Sequence, residues 1–75
     1  DASFFALTDG GIELQALSGG SWGSYQVTTD TNWTFIDSDG GSRVVNCLRP
    51  NGDEHRFYSG PPWTSWGTDV KYTEG

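Results

Sequence analysis

Nowhere in this chain do apolar side chains recur at i, i+3, i+4 and i+7 for three turns, and glycine, proline, Asx, serine or threonine interrupts it every few residues. A helix needs an unbroken apolar stripe at a period of 3.6, so the chain is left with strands. Between the interruptions lie short runs rich in β-branched and aromatic residues: Ser3 to Leu7, Ile12 to Leu17, Ser24 to Thr29, Trp33 to Ile36, Arg43 to Leu48, His55 to Tyr58 and Asp69 to Thr73. Each has the length and composition of a strand.

Three connections carry hairpin chemistry: Asp9-Gly10-Gly11, Asp39-Gly40-Gly41, and Asn51-Gly52 after Pro50. A tight turn that follows strand twist needs positive φ at its centre, which these pairs tolerate. In Ile12-Glu13-Leu14-Gln15-Ala16-Leu17 and in Tyr25-Gln26-Val27-Thr28, apolar and polar residues alternate as on a sheet with one dry face. The expected architecture is all-β: a small antiparallel meander of about seven short strands that closes into a barrel or folds as a two-layer sandwich. With 75 residues, a chain that buries only about 60% of its unfolded surface forms a single domain spanning residues 1–75.

Laid over itself at a step of thirty residues, the chain aligns Phe5, Thr8, Asp9, Gly10, Gly11 and Leu14 with Phe35, Ser38, Asp39, Gly40, Gly41 and Val44. The same step takes Trp33-Thr34 to Trp63-Thr64 and Ser38-Asp39 to Thr68-Asp69. Either the domain holds an internal repeat whose incomplete last copy leaves an open sheet edge, or hairpins built on one turn chemistry look alike by convergence.

Four Trp, three Tyr and four Phe with no Met make rings the main source of buried apolar area. The net charge of −6 opposes binding to phosphate backbones and anionic headgroups, so neither nucleic acid nor membrane is an expected partner. Asp1 followed by the small Ala2 and Ser3 reads as the product of leader removal or excision, which favours an extracellular or surface-associated location. Cys47, the one cysteine, reads as a buried thiol packing as a small hydrophobe, with an intermolecular disulfide the other reading.

The aromatic set is the strongest functional cue. Trp22 lies between Gly20-Ser21 and Gly23-Ser24, and Trp63 and Trp66 follow Pro61-Pro62; all three read as loop indoles. An indole face stacks on a sugar ring or an aliphatic chain while its N–H donates, and binding surfaces are enriched in Trp and Tyr for that reason. Tyr25, Tyr58, Asp30 and Asn32 are the supporting candidates. Against this stands the reading that tryptophans plug the ends of a small core, which Trp33, inside a strand run, fits best.

Asp30, Asn32, Asp37 and Asp39 bracket one strand with oxygen ligands, but no glutamate stands where a calcium loop would close, so turn-forming Asx residues explain them better and no metal or cofactor is expected. Asn32-Trp33-Thr34 fits the N-glycosylation acceptor pattern and also reads as a turn-to-strand junction. His55, the one histidine, sits beside Asp53 and Glu54 after a hairpin turn, as on a solvated edge. With no nucleophile elbow, metal spacing or phosphate loop, the domain is not expected to be an enzyme.

The segment Val27-Thr28-Thr29-Asp30-Thr31-Asn32-Trp33-Thr34 resembles part of the bacterial Ig-like, carbohydrate-associated modules of the BACON type, where a strand, an Asx turn and a Trp-Thr strand follow one another. The resemblance implies surface recognition and assigns no site residue. Together these readings describe a noncatalytic extracellular module that recognises carbohydrate or a protein surface. The alternative is a structural subunit of a virion, fibre or other surface assembly, joined as a homo-oligomer or filament through free strand edges.

Overall fold

The computed structural model describes residues 2–38 and 41–73. Among them are seven strands and no helix: β1 (Ala2–Thr8), β2 (Gly11–Ser18), β3 (Ser21–Thr28), β4 (Phe35–Ser38), β5 (Val44–Leu48), β6 (Glu54–Tyr58) and β7 (Gly67–Lys71). They form two antiparallel meanders, β1-β2-β3 and β4-β5-β6-β7. No barrel closes. β1 lies alongside β4 without a ladder between them, and a small cleft of about 220 Å³ opens at that seam beside Phe5 and Ile36.

The core follows from the alternation of β2. Ile12, Leu14 and Ala16 are buried while Glu13 and Gln15 point outward, as a period of two requires. Val27 of β3, Trp33, and Val45 and Cys47 of β5 complete one buried cluster fed by both sheets. Fully burying each aliphatic side chain is worth about 1.5–3 kcal/mol, so Ile12, Leu14 and Val45 are the anchors. Phe5, Tyr25, Ile36, Phe57, Trp63 and Trp66 pack around them.

Turn chemistry sets the register. Asp9-Gly10 joins β1 to β2 with Thr8 opposite Gly11, and the positive φ falls on Gly11 at 117° rather than on the central pair. A Cβ at Gly11 would strike the Thr28 carbonyl, which is why only glycine fits this close approach. The β2–β3 hairpin turns on Gly19-Gly20, both at positive φ (60° and 81°), with Ser18 opposite Ser21. Between β5 and β6 the Gly52 N–H closes on the Arg49 carbonyl at 3.0 Å, with Gly52 at φ 96°. Asp39 and Gly40, on which another hairpin signal rests, lie outside the described residues, as does Asp1.

Two strand readings are corrected. β3 begins at Ser21, so Trp22 stands on a strand and not in a flexible loop; the Gly19-Gly20 turn immediately before it is the cause. β4 begins at Phe35, because the chain first bends around Trp33, whose backbone N–H bonds the Thr31 carbonyl at 2.9 Å and whose indole bonds the Asp30 carbonyl at 2.7 Å. The thirty-residue step does not carry into the pairing. It would turn Phe5 opposite Leu14 into Phe35 opposite Val44, whereas Phe35 stands opposite Leu48.

Candidate functional site

Outward-facing rows on the three-stranded sheet follow from its register. Ala2, Leu17 and Trp22 stand side by side across β1, β2 and β3, and the next row is Phe4, Gln15 and Ser24. Trp22 is 53% exposed and Phe4 52% exposed, and their ring centroids lie 5.8 Å apart with planes tilted by 60°. Burial of two such rings on a wet face would be expected if packing alone placed them, so their exposure marks the face. Beside them the Ser24 hydroxyl donates to Gln15 Oε1 at 2.8 Å.

Ala2 and Leu17 also wall a cleft of about 450 Å³ that opens at the end of the same sheet towards its inner side, where the core residue Ala16 lines it together with Ser3, Ser18, Ser42 and Trp63. Trp63 is carried there by the β6–β7 connection. Its own φ is 57°, in the left-handed region that side chains rarely adopt, and its N–H bonds the Gly60 carbonyl at 2.8 Å. The ring packs on Tyr25, centroids 5.3 Å apart, while Trp66 meets Phe5 edge-on at 6.0 Å. This loop of the four-stranded sheet therefore straps across the three-stranded one, one indole on β3 and one on β1.

Strapping changes what these indoles can offer. The expectation of free loop tryptophans is corrected for Trp63 and Trp66: both are half-buried against the core, and their Nε1 atoms are withdrawn from solvent without a partner among the described residues. An orphaned buried donor costs about 1–3 kcal/mol, which only the packing of the ring offsets. Trp63 thus presents ring surface to the cleft and keeps its N–H turned away.

The remaining expected site residues stand elsewhere. Tyr25 is half-buried behind Trp63, lying over Gly23. Tyr58 is exposed on the four-stranded sheet, where it stands opposite Gly67 and its ring fills the space a Cβ would take there. Asp30 and Asn32 belong to a clamp around Trp33. Arg49 reaches Asp30 Oδ2 at 2.6 Å, donates to the Asn32 carbonyl at 3.2 Å and lies over the Trp33 ring. The Asn32 N–H bonds Asp30 Oδ1 at 2.9 Å in an Asx turn. The hydrogen bond from Arg49, then that from Asn32, holds the Asp30 carboxyl below its usual range, and Asp30 in turn raises Arg49.

His55 is not on a solvated edge. It meets Trp33 edge-on at 5.0 Å, stacks with Phe57, and its Nε2 accepts from Arg49 Nε at 3.4 Å. Burial, and then the Arg49 charge, pushes its pKa down. Cys47 is buried and its thiol is pushed up to about 12 by that burial. Among the described residues no three His, Cys, Asp or Glu gather where a metal could be held.

The structure thus places Trp22 on the outer face and Trp63 on the inner face at one end of the three-stranded sheet, leaves Trp66, Tyr25, Asp30 and Asn32 in packing or turn positions, and leaves Tyr58 exposed on the four-stranded sheet. Phe4, Leu17 and the three serines are candidate site residues that the sequence reading did not single out. Two of them had a signal. In Phe4-Phe5 the period of two must turn one ring outward, and Leu17 shares parity with Glu13 and Gln15.

The fold and site define a small all-β domain of two antiparallel sheets with an aromatic outer face. Comparison with protein-family models, curated proteins and solved structures returned no match, and the eight-residue resemblance at Val27 to Thr34 finds no counterpart there.

Proposed function

We propose that this domain is a noncatalytic, extracellular binding module that grips carbohydrate or a protein surface through the outer face of its three-stranded sheet. The observation that carries the reading is the contact between Phe4 and Trp22, each about half exposed, beside Leu17 on a face whose other side chains are small or polar. Aromatic anchors of this kind supply most of the energy in recognition surfaces. The acidic balance of the chain works against nucleic acid and anionic membranes as partners.

A titration of Trp fluorescence and a glycan array, run on the protein and on Trp22→Ala, test this. Loss of an aromatic anchor should cost about 2 kcal/mol, roughly thirtyfold in affinity. Unchanged binding by both Trp22→Ala and Phe4→Ala would overturn the reading.

A second reading, a structural subunit of a surface assembly, draws on different features. β3 and β7 have an unpaired edge among the described residues, and Tyr72 and Phe35 are 74% and 60% exposed. Open edges and bare rings suit subunit contacts. Light scattering of the native particle separates the two, since a dispersed monomer at high concentration is incompatible with assembly.

A further inference from the structure

We infer that the cleft at the end of the three-stranded sheet takes a neutral, soluble oligosaccharide, held with one sugar on Trp22 and the chain continuing over Leu17 towards Trp63; this rests on the reading that the outer face is the binding face. The cleft and the aromatic pair meet at the end of the sheet: Ser3, Ala16 and Trp63 line the cleft from the inner face, Trp22 stands on the outer one, and Ala2 and Leu17 adjoin both. Leu17 stands directly opposite Trp22 and, with Ala2, also walls the cleft. Its volume of about 450 Å³ falls within the range of roughly 300–1,000 Å³ typical of ligand sites.

The lining chooses the chemistry. Ser3, Ser18 and Ser42 bring three hydroxyls to the rim, none bonded to another described residue, while Trp63 and Leu17 offer apolar surface. A hydroxyl both donates and accepts, which suits the hydroxyls of a sugar, and a ring or aliphatic face suits its C–H face. No described residue of the lining is ionisable. A cationic ligand therefore finds no carboxylate to pair with inside the cleft.

Charge distribution argues against an anionic ligand. Residues 1–28, the part of the chain that builds the three-stranded sheet, contain three acidic residues, Asp1, Asp9 and Glu13, and no basic one, and the chain as a whole carries a net charge of −6. That field repels uronic acids, sialosides and phosphates. What remains is neutral.

Ring geometry argues against a flat insoluble surface. Successive sugars on a crystalline polysaccharide present coplanar faces, and rings tilted by 60° cannot both lie flat on them. One ring can stack while the other flanks it, and the chain then turns over Leu17 into the cleft. A free chain end or a flexible soluble chain can follow that path.

The test is a fluorescence and NMR titration with neutral pentasaccharides of glucose, mannose and N-acetylglucosamine, with oligogalacturonate as the anionic comparison and microcrystalline cellulose as the flat surface. Saturable binding by at least one neutral probe is expected, at least tenfold tighter than oligogalacturonate, with no depletion onto the solid. Ser42→Phe and Ser18→Phe, two independent ways to fill the cleft, should each weaken it at least tenfold with the thermal transition kept. If Trp22→Ala abolishes binding and both filling variants leave it unchanged, the cleft assignment falls and the outer-face reading stands. If Trp22→Ala and Phe4→Ala bind as the parent does, both fall. Binding by none of the neutral probes, tighter binding of the anionic one, or depletion onto cellulose also overturns the inference.

Discussion

The Arg49 guanidinium carbon lies 4.0 Å from the centroid of the Trp33 ring, and the same side chain is ion-paired to Asp30. One residue thus covers the indole that closes the core and ties down the turn that leads into β4. The Arg49 side chain is 20% exposed, enough shelter for the cation–π contact to exceed its surface value. Replacing Arg49 with Met should lower stability by about 1–2 kcal/mol, combining a cation–π contact with a partly screened ion pair. Urea unfolding of Arg49→Met and Arg49→Lys checks this. The lysine variant should recover part of the loss, because it keeps a charge but not the planar fork. Equal stability of all three proteins would show the clamp to be ornamental.

His55 makes the fold sensitive to mild acid. Its folded pKa lies below the ordinary 6.5, chiefly through burial and secondly through Arg49, with Asp53 and Asp30 opposing. The unfolded chain therefore binds the proton more readily, and stability rises with pH across that window. The contribution is complete above about pH 6.5 and is lost as pH falls through that value towards the folded pKa. Asp30 and Asp53, both held below 3.8, add a separate loss in stronger acid; for Asp53 the main cause is the Thr73 N–H. The melting temperature should decline as pH falls below about 6.5, and His55→Gln should flatten that decline while leaving the loss in stronger acid.

Two glycines separate conformational cost from collision. Gly19 has φ 60° with open space around its missing Cβ, whereas Gly11 has φ 117° and a Cβ there would strike the Thr28 carbonyl and Thr29 Cα. Gly19→Ala should cost about 1–2 kcal/mol, the price of a left-handed residue. Gly11→Ala should cost clearly more, since two backbones would have to separate. Denaturation midpoints of the two variants give the order directly, and the reverse order would contradict the β2–β3 packing described above.

The same glycines show what the sequence made legible. Alternation in Ile12 to Leu17 identified the buried face of β2, because burial there depends only on parity. Each of the seven expected strands has a counterpart within a few residues. Trp22 was misplaced because glycine and serine on both sides look like a loop; in the fold Gly19-Gly20 is the turn, and Gly23 leaves room for the Tyr25 ring. The onset of β4 was misplaced because a buried ring outweighed the β-propensity of Trp33-Thr34. Closure depends on whether β1 and β4 exchange hydrogen bonds, a long-range matter that no local pattern carries. His55 was missed for a similar reason, since Trp33 and Arg49 are remote from it in sequence and adjacent only after β5 and β6 pair.

Cys47 should be inert in the native state. It is 2% exposed, and burial raises its thiol to about 12, so thiolate, the reactive form, is scarce at neutral pH. Reaction with an aromatic disulfide reagent should wait for unfolding and accelerate with urea in step with the loss of structure. An intermolecular disulfide through Cys47 requires the same opening, so reducing agent should leave the native particle size unchanged. Rapid labelling of native protein would show that β5 opens locally at little cost.

Fluorescence can show how far the four tryptophans divide between core and surface. Trp33 is 7% exposed, Trp63 and Trp66 are half-buried with sequestered N–H groups, and Trp22 is 53% exposed. Acrylamide is uncharged and is not excluded by the acidic surface, so its quenching should come mainly from Trp22. Trp22→Phe keeps a ring against Phe4 and should preserve the fold. It should also shift the emission maximum to shorter wavelength and remove more than half of the quenching. Trp63→Phe and Trp66→Phe should change quenching little but lower the melting temperature, because each takes an indole out of the strap between the sheets. If Trp66→Phe removed more quenching than Trp22→Phe, the exposed indole would be on the β6–β7 connection, and the outer face of the three-stranded sheet would lose its claim to be the binding face.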